Sequence, residues 1–230
     1  MTESMLHIMT TPNQTVRGPK QAHWVPAVYL RQFRTDDSAD GDPRVWVWDK
    51  VQKAIRTAPS RVTELCTKNR LYSPIRDNGS WDLSMEEELE RFEAIAGRVW
   101  PAMLESDEVL VDPTIREFLA YFLAYLHLRN YSLYELTHKA VKLSRELYGF
   151  DQQEPCATNF AKKSFVDGIR SSAKRIATNL SARTWAVLKF DHKVLATNDR
   201  PVIFFSDKGL PRTPMPAAER VFFPLSPAHL

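Results

Sequence analysis

Phe118 to Leu128 restricts the fold more than any other segment. Its eleven residues are apolar except for His127, and Glu117 and Arg129 bound it. A helix that is apolar on every side must be buried on every side, so the rest of the chain has to surround it. The run is too short to cross a bilayer, which takes roughly 20 apolar residues. No basic-then-apolar segment opens the chain, so neither a membrane span nor a signal peptide is expected. The 230 residues are enough for one domain with a sizeable core. With 43% hydrophobic and 26% charged residues, the composition excludes a disordered chain, a collagen or a coiled-coil rod.

Apolar spacing places the other elements. Arg44 to Asp49 alternates, with Val45 and Val47 on one side and Trp46 and Trp48 on the other. That predicts a strand partly covered on both faces, with Ala54 to Arg61 as its partner. Val25 to Arg34 reads as a strand or a short helix. A helix is predicted from Ser84, with Glu87 three residues on as in a capping box, and Pro101 kinks or ends it. Asp112 and Pro113 supply the N-cap and first turn of the next helix. It runs on, with a break near Asn130, to Gly149. A third helix is predicted from about Thr158 to Ser181. Trp185 to Phe190 and Lys193 to Thr197 read as a hairpin turning at Asp191-His192, followed by strands at Val202 to Phe205 and Val221 to Leu225.

Strands, then helices, then strands predict an α+β fold. The N-terminal and C-terminal strands are expected to form a mixed or antiparallel sheet packed on a central bundle of three or more helices. Residues 1–20, polar and without periodicity, are expected to be a mobile arm, and 21–230 a single α+β domain. Cys66 and Cys156 show no metal spacing and no Cys-x-x-Cys motif, so the reducing cytoplasm is the expected compartment.

Most known chemical motifs are absent. The seven glycines form no phosphate-binding loop, and there is no H-E-x-x-H, G-x-S-x-G or Cys/His zinc pattern. Asp36, Ser38, Asp40 and Gly41 are spaced as in a calcium loop, but Val47 stands where a bidentate Glu is needed. A solvated loop is expected there, and no metal site is assigned.

Three segments stand out. They are His23-Trp24-Val25-Pro26-Ala27-Val28-Tyr29-Leu30-Arg31-Gln32-Phe33, then Ala196-Thr197-Asn198-Asp199-Arg200-Pro201-Val202-Ile203, then Phe223-Pro224-Leu225-Ser226-Pro227. Together they resemble the bacterial family catalogued as domain of unknown function 4238. Its members carry His-Tyr-x-Pro-x-x-Tyr-Leu-x-x-Phe, Thr-Ser-Asp-x-Pro-Val and Pro-Leu-Ser-Pro in that order. Val45 to Lys50 and the run Glu86, Leu89, Phe92, Glu93 fit it too. The likeness covers about His23 to Pro227 and departs at Trp24 and Asn198. It also implies more sequence after Pro227 than is present here. It implies a shared fold and brings no established activity, so function has to be argued from residues.

The residues leave two readings open. In the first, a non-catalytic binding or regulatory protein contacts a polyanion, either nucleic acid or an acidic protein, through a basic helix. The net charge is 31 − 28 = +3, but nine Lys or Arg lie against four Asp or Glu between Lys139 and Arg183. Lys162, Lys163, Arg170, Lys174 and Arg175 are its candidate contacts. In the second, a phosphoester hydrolase, nuclease-like and with or without a divalent metal, works through His23, Arg31, Glu93, Arg129 and Asp199. That requires the five to converge in a solvent-open cleft. Otherwise Glu93 is a structural partner of Arg129 or Arg98, and Asp199 serves its own turn.

Overall fold

The computed structural model describes residues 21–149, 154–206 and 218–230, without the side chains of 107, 108 and 154–157. The expected arm at 1–20 and the Cys156 side chain lie outside the described residues. In chain order, β1 (Gln21–His23) leads to the one-turn helix α1 (Ala27–Leu30). Four two-residue strands follow: β2 (Arg44–Val45), β3 (Trp48–Asp49), β4 (Ala54–Ile55) and β5 (Ser60–Arg61). Then come β6 (Thr67–Asn69) and the long helices α2 (Ser84–Glu105), α3 (Pro113–Leu128), α4 (Tyr131–Tyr148) and α5 (Glu154–Ser181). β7 (Ile203–Phe205) and β8 (Arg220–Phe222) complete the order.

The fold is α+β. Its strands pair antiparallel as β1 with β6, β2 with β5, β3 with β4, and β7 with β8. Among the described residues the pairing is therefore spread over four two-stranded ribbons, and no N-terminal strand pairs with a C-terminal one. Backbone conformation keeps the N-terminal strands short. Lys53, Cys66 and Arg70 all have positive φ, a costly left-handed conformation for residues with a Cβ. Lys53 turns the chain between β3 and β4, and Cys66 and Arg70 close off β6 at either side.

α3 is the centre of the molecule. Its residues from Phe118 to Leu126 are nearly all buried, packed chiefly against α5, while α4 folds back on α5. Asp112 caps α3 by accepting from the Thr114 and Ile115 amides, at 2.7 and 3.3 Å. Asn130 accepts from the Ser132 amide at 2.8 Å and starts α4, which ends at Gly149 in the left-handed conformation. At α2 the expected capping box is replaced. Ser84 already lies in the helix, and Asp82 accepts from both its amide and its hydroxyl. Pro101 does not end α2, which continues to Glu105.

Two strand expectations are corrected. Trp46 and Trp48 are both more than half exposed, so the side of this segment that carries them is largely open. The hairpin at Asp191-His192 does not form. Leu188 instead exchanges backbone hydrogen bonds with Leu230, and Phe190 donates to Ala228. The final residues thus occupy the edge expected for Lys193 to Thr197.

An aromatic cluster ties the chain ends to the helices. Tyr29 stacks on Phe223 at 5.0 Å between centroids, and Trp100 meets Tyr29 and Phe122 edge-on. The buried Trp100 indole donates to the Leu225 carbonyl at 3.1 Å, within the Pro224-Leu225-Ser226-Pro227 segment. Trp100→Phe keeps an aromatic ring but removes that donor. Its expected cost is about 1–2 kcal/mol in urea unfolding.

Candidate functional site

Three of the five residues expected in a catalytic cleft do come together. Arg129 follows the last residue of α3, and its side chain is only 2% exposed. Its Nη1 donates to Glu93 Oε1 of α2 at 2.8 Å. His23, at the end of β1, lies within electrostatic reach of both. The Tyr72 hydroxyl donates to the Arg129 carbonyl at 2.9 Å and sits 3.4 Å from the His23 carbonyl. One buried phenol therefore joins the first strand to the α3–α4 junction.

Burial is the largest influence on the His23 ring and pushes its pKa below the ordinary value. Glu93 works in the opposite direction, and Arg129 adds to the lowering. The backbone at Val62 and Thr63 also works in the raising direction. Its Nε2 and the Arg129 Nε are buried and make no hydrogen bond to a described residue. A general base has to reach the proton it abstracts. Here the Arg129 head is enclosed and spent on Glu93, so the arrangement holds three segments together.

Asp199 and Arg31 stand outside this trio. Asp199 pairs with Lys50 at 2.6 Å on the surface, and Asn198 makes the local turn by accepting from the Arg200 amide. Arg31 is exposed on the helical turn Arg31–Phe33. Among the described residues, no hydrogen bond or ion pair links either one to the trio. Cys66 lies near Asp199 and Lys50, but burial pushes its thiol up to about 12, far from the thiolate a nucleophile needs. Among the described residues, no three His, Cys, Asp or Glu side chains are grouped to hold a metal. In the Asp-rich loop, Asp40 pairs with Arg34, Asp42 with Arg44 and Arg61, and Asp36 with Lys193.

The basic helix is α5, and its cations do not share one face. At about 100° per residue, Lys163, Arg170 and Lys174 lie on one flank, with Asp167 among them, and Arg175 lies well round from Lys174. Arg170 is already engaged, donating to Ser84 Oγ at 2.8 Å and lying 3.7 Å from Glu88. Lys162 points toward the interior side. There it meets two cations that sequence reasoning missed, Lys68 of β6 and Arg70 just beyond it.

Lys162 and Arg70 lie over the Trp81 ring, at 5.5 and 5.1 Å from its centroid. Lys68 sits 4.5 Å from the Tyr131 ring centroid, donates to the Tyr131 hydroxyl at 2.6 Å, and lies 5.2 Å from the Tyr134 centroid. The opposing carboxylates are Glu86 and Glu135. Glu86 is buried, accepts from Ser73 Oγ, and has its pKa raised chiefly by burial. Glu135 lies 3.9 Å from Lys68. Burial is the main cause lowering the Lys162 pKa, and the like charges of Lys68 and Arg70 add to it against Glu86. Only the Lys162 part of this patch was legible, since spacing along the chain does not reveal that Lys68 and Arg70 come close to Lys162.

A cavity of about 510 Å³ lies between α3, α5 and the C-terminal segments, lined by Leu119, Leu180, Trp185, Val221 and Leu230 among others. Arg183 at its rim donates to the carbonyls of Ala218 and Glu219. The cavity is mostly apolar and holds none of the proposed catalytic residues.

The family model described as protein of unknown function (DUF4238) matches residues 21–230. The chain belongs to that family. No curated protein and no solved structure matches it. Membership in DUF4238 accounts for the shared segments and supplies no activity. Two of those segments do fold-holding work here, since His23 lies in the trio and Leu225 accepts from Trp100.

Two outcomes follow for this DUF4238 protein. Glu93→Gln leaves the Arg129 charge buried without its counter-ion, and the expected loss is about 3–5 kcal/mol in denaturant unfolding. Replacing both with Glu93→Leu and Arg129→Met is expected to recover most of that loss. Stability from His23 is fully present above its unfolded pKa of 6.5 and is lost as pH falls through the depressed folded value. His23→Asn should therefore lose less stability than the wild type between about pH 7 and pH 5, measured by paired urea titrations.

Proposed function

We propose that this protein is a non-catalytic binding module of the bacterial cytoplasm that holds single-stranded nucleic acid at the Lys68–Arg70–Lys162 patch. The observation that carries this reading is the meeting of three cations from two elements around accessible aromatic rings. Phosphates are attracted to clustered cations, and unpaired bases stack on exposed rings. Trp81 is 40% exposed and has Arg70 and Lys162 over it. Arg70 carries a planar guanidinium suited to a phosphate, and its buried Nη1 has no hydrogen bond to a described residue.

The charge balance supports this reading. Three cations face two carboxylates, one of which is biased by burial toward its neutral form. A phosphate arriving here relieves the mutual repulsion that Lys162 feels from Lys68 and Arg70. Lys163 and Lys174 extend the positive flank along α5. Arg175, on another side, adds only long-range attraction, and Arg170 is committed to Glu88 and Ser84.

Fluorescence anisotropy with a labelled single-stranded oligonucleotide tests the proposal. Affinity is expected to fall with salt at a log–log slope of about −2, as for three phosphate contacts on a single strand. Arg70→Gln and Lys162→Gln should each weaken binding about tenfold, and Trp81→Ala similarly through lost stacking. The pair Lys174→Glu and Arg175→Glu should weaken it less, and His23→Ala should leave it unchanged. Binding that ignores salt, or that survives loss of Arg70 and Lys162, contradicts the proposal.

A further inference from the structure

A second surface, independent of the cation patch, lies on α4. That helix has two apolar stripes. One carries Tyr134, His138 and Val141 and packs toward α5, with Tyr134 edge-on to Phe165 and His138 close to Thr158. The other carries Leu133, Leu136, Ala140, Leu143 and Leu147, spaced by three, four, three and four residues. This stripe faces solvent. Leu136 is 63% exposed, Leu143 56% and Leu147 72%. Scattered exposed leucines need no explanation, but an unbroken row at coiled-coil spacing on a helix already fixed from behind is an interaction surface.

We propose that this face is where two copies of the chain meet, with their α4 helices antiparallel about a two-fold axis beside Val141. The heptad assignment places Leu133, Ala140 and Leu147 at a and Leu136 and Leu143 at d. In an antiparallel pair, each a side chain faces a d side chain of the other helix. Leu136 then meets the second copy's Leu147, and Ala140 meets the second copy's Leu143. Small Ala140 opposite Leu143 lets the helices approach closely near the axis. In that same register the g positions oppose each other, so Lys139 faces the second copy's Glu146, and two-fold symmetry repeats the pair.

The charges select the orientation. A parallel pair would set Lys139 against Ser144 and Ser132 against Thr137, and would leave Glu146 facing a position beyond the end of α4, with no ion pair made along the helix. Only the antiparallel register gives two oppositely charged pairs beside a continuous leucine seam. α5 already holds α4 as a helix, so little ordering has to be done on association. The seam is about two heptads long and lies among small interfaces, which points to micromolar affinity.

Sedimentation velocity of the full chain between about 10 and 300 µM reads this directly. A concentration-dependent monomer–dimer equilibrium is expected. Leu136→Glu with Leu143→Glu should give a monomer throughout, with the far-UV circular dichroism of the wild type. Lys139→Glu should weaken the dimer about tenfold, because glutamates then face each other twice. The reversed pair, Lys139→Glu with Glu146→Lys, should restore it. Both charged positions are exposed, so these variants test the proposal even if the leucine variant unfolds. A wild type that stays monomeric at the highest concentration overturns the proposal. So does a dimer that tolerates Leu136→Glu and Leu143→Glu in a folded chain, or a charge reversal that fails to restore association.

Discussion

The structure depends on a guanidinium buried at the end of an apolar helix. α3 supplies the centre of the core because it has no polar face, and its C-terminal end must satisfy Arg129 inside the protein. A buried charge is tolerable only when paired, and Glu93 on α2 provides the partner. Tyr72 accommodates the Arg129 carbonyl, and His23 packs beside the pair. Strand β1, the loop at Tyr72, α2 and the α3–α4 junction are thereby fixed relative to one another. The pair contributes less by its own attraction than by the cost of every alternative that leaves either charge buried alone.

That constraint separates the holding of the fold from contact with a ligand. A His, a carboxylate and an Arg within one sequence invite a catalytic reading, and three such groups do meet. Arg129 among them is enclosed and paired with Glu93, which favours a fold-holding role for that pair. The cations gathered around rings are others, Lys68, Arg70 and Lys162. Lys68 lies in β6, Arg70 is itself the positive-φ residue that follows that strand, and Lys162 comes from the interior side of α5.

The helical part of the fold was legible in the sequence because each helix carries local signals. Asp112 before Pro113, Asn130 between two helices and Gly149 at a left-handed terminus each act through neighbouring backbone. The Glu93–Arg129 pairing was among the expected structural bridges, since an arginine ending an all-apolar run needs a partner. The strands were harder. β2 to β5 are two residues long, too short for alternation to report which face is covered, and the exposed Trp46 and Trp48 show it. The edge taken by Leu188 and Phe190 was set by residues about forty positions downstream, which no local pattern encodes. The Lys68–Arg70–Lys162 patch was hidden for the same reason: Lys162 stands about ninety positions along the chain from Lys68 and Arg70.

The proposed division of labour gives fold-holding to His23, Glu93 and Arg129 and ligand contact to Trp81 and its cations. Two-dimensional NMR of the full chain during titration with a short single-stranded oligonucleotide tests both halves at once. The Trp81 indole resonance and backbone amides around Lys68, Arg70 and Lys162 are expected to shift progressively, while the Arg129 side-chain and His23 ring resonances stay in place. Shifts centred on His23 and Arg129, with Trp81 unmoved, would contradict it.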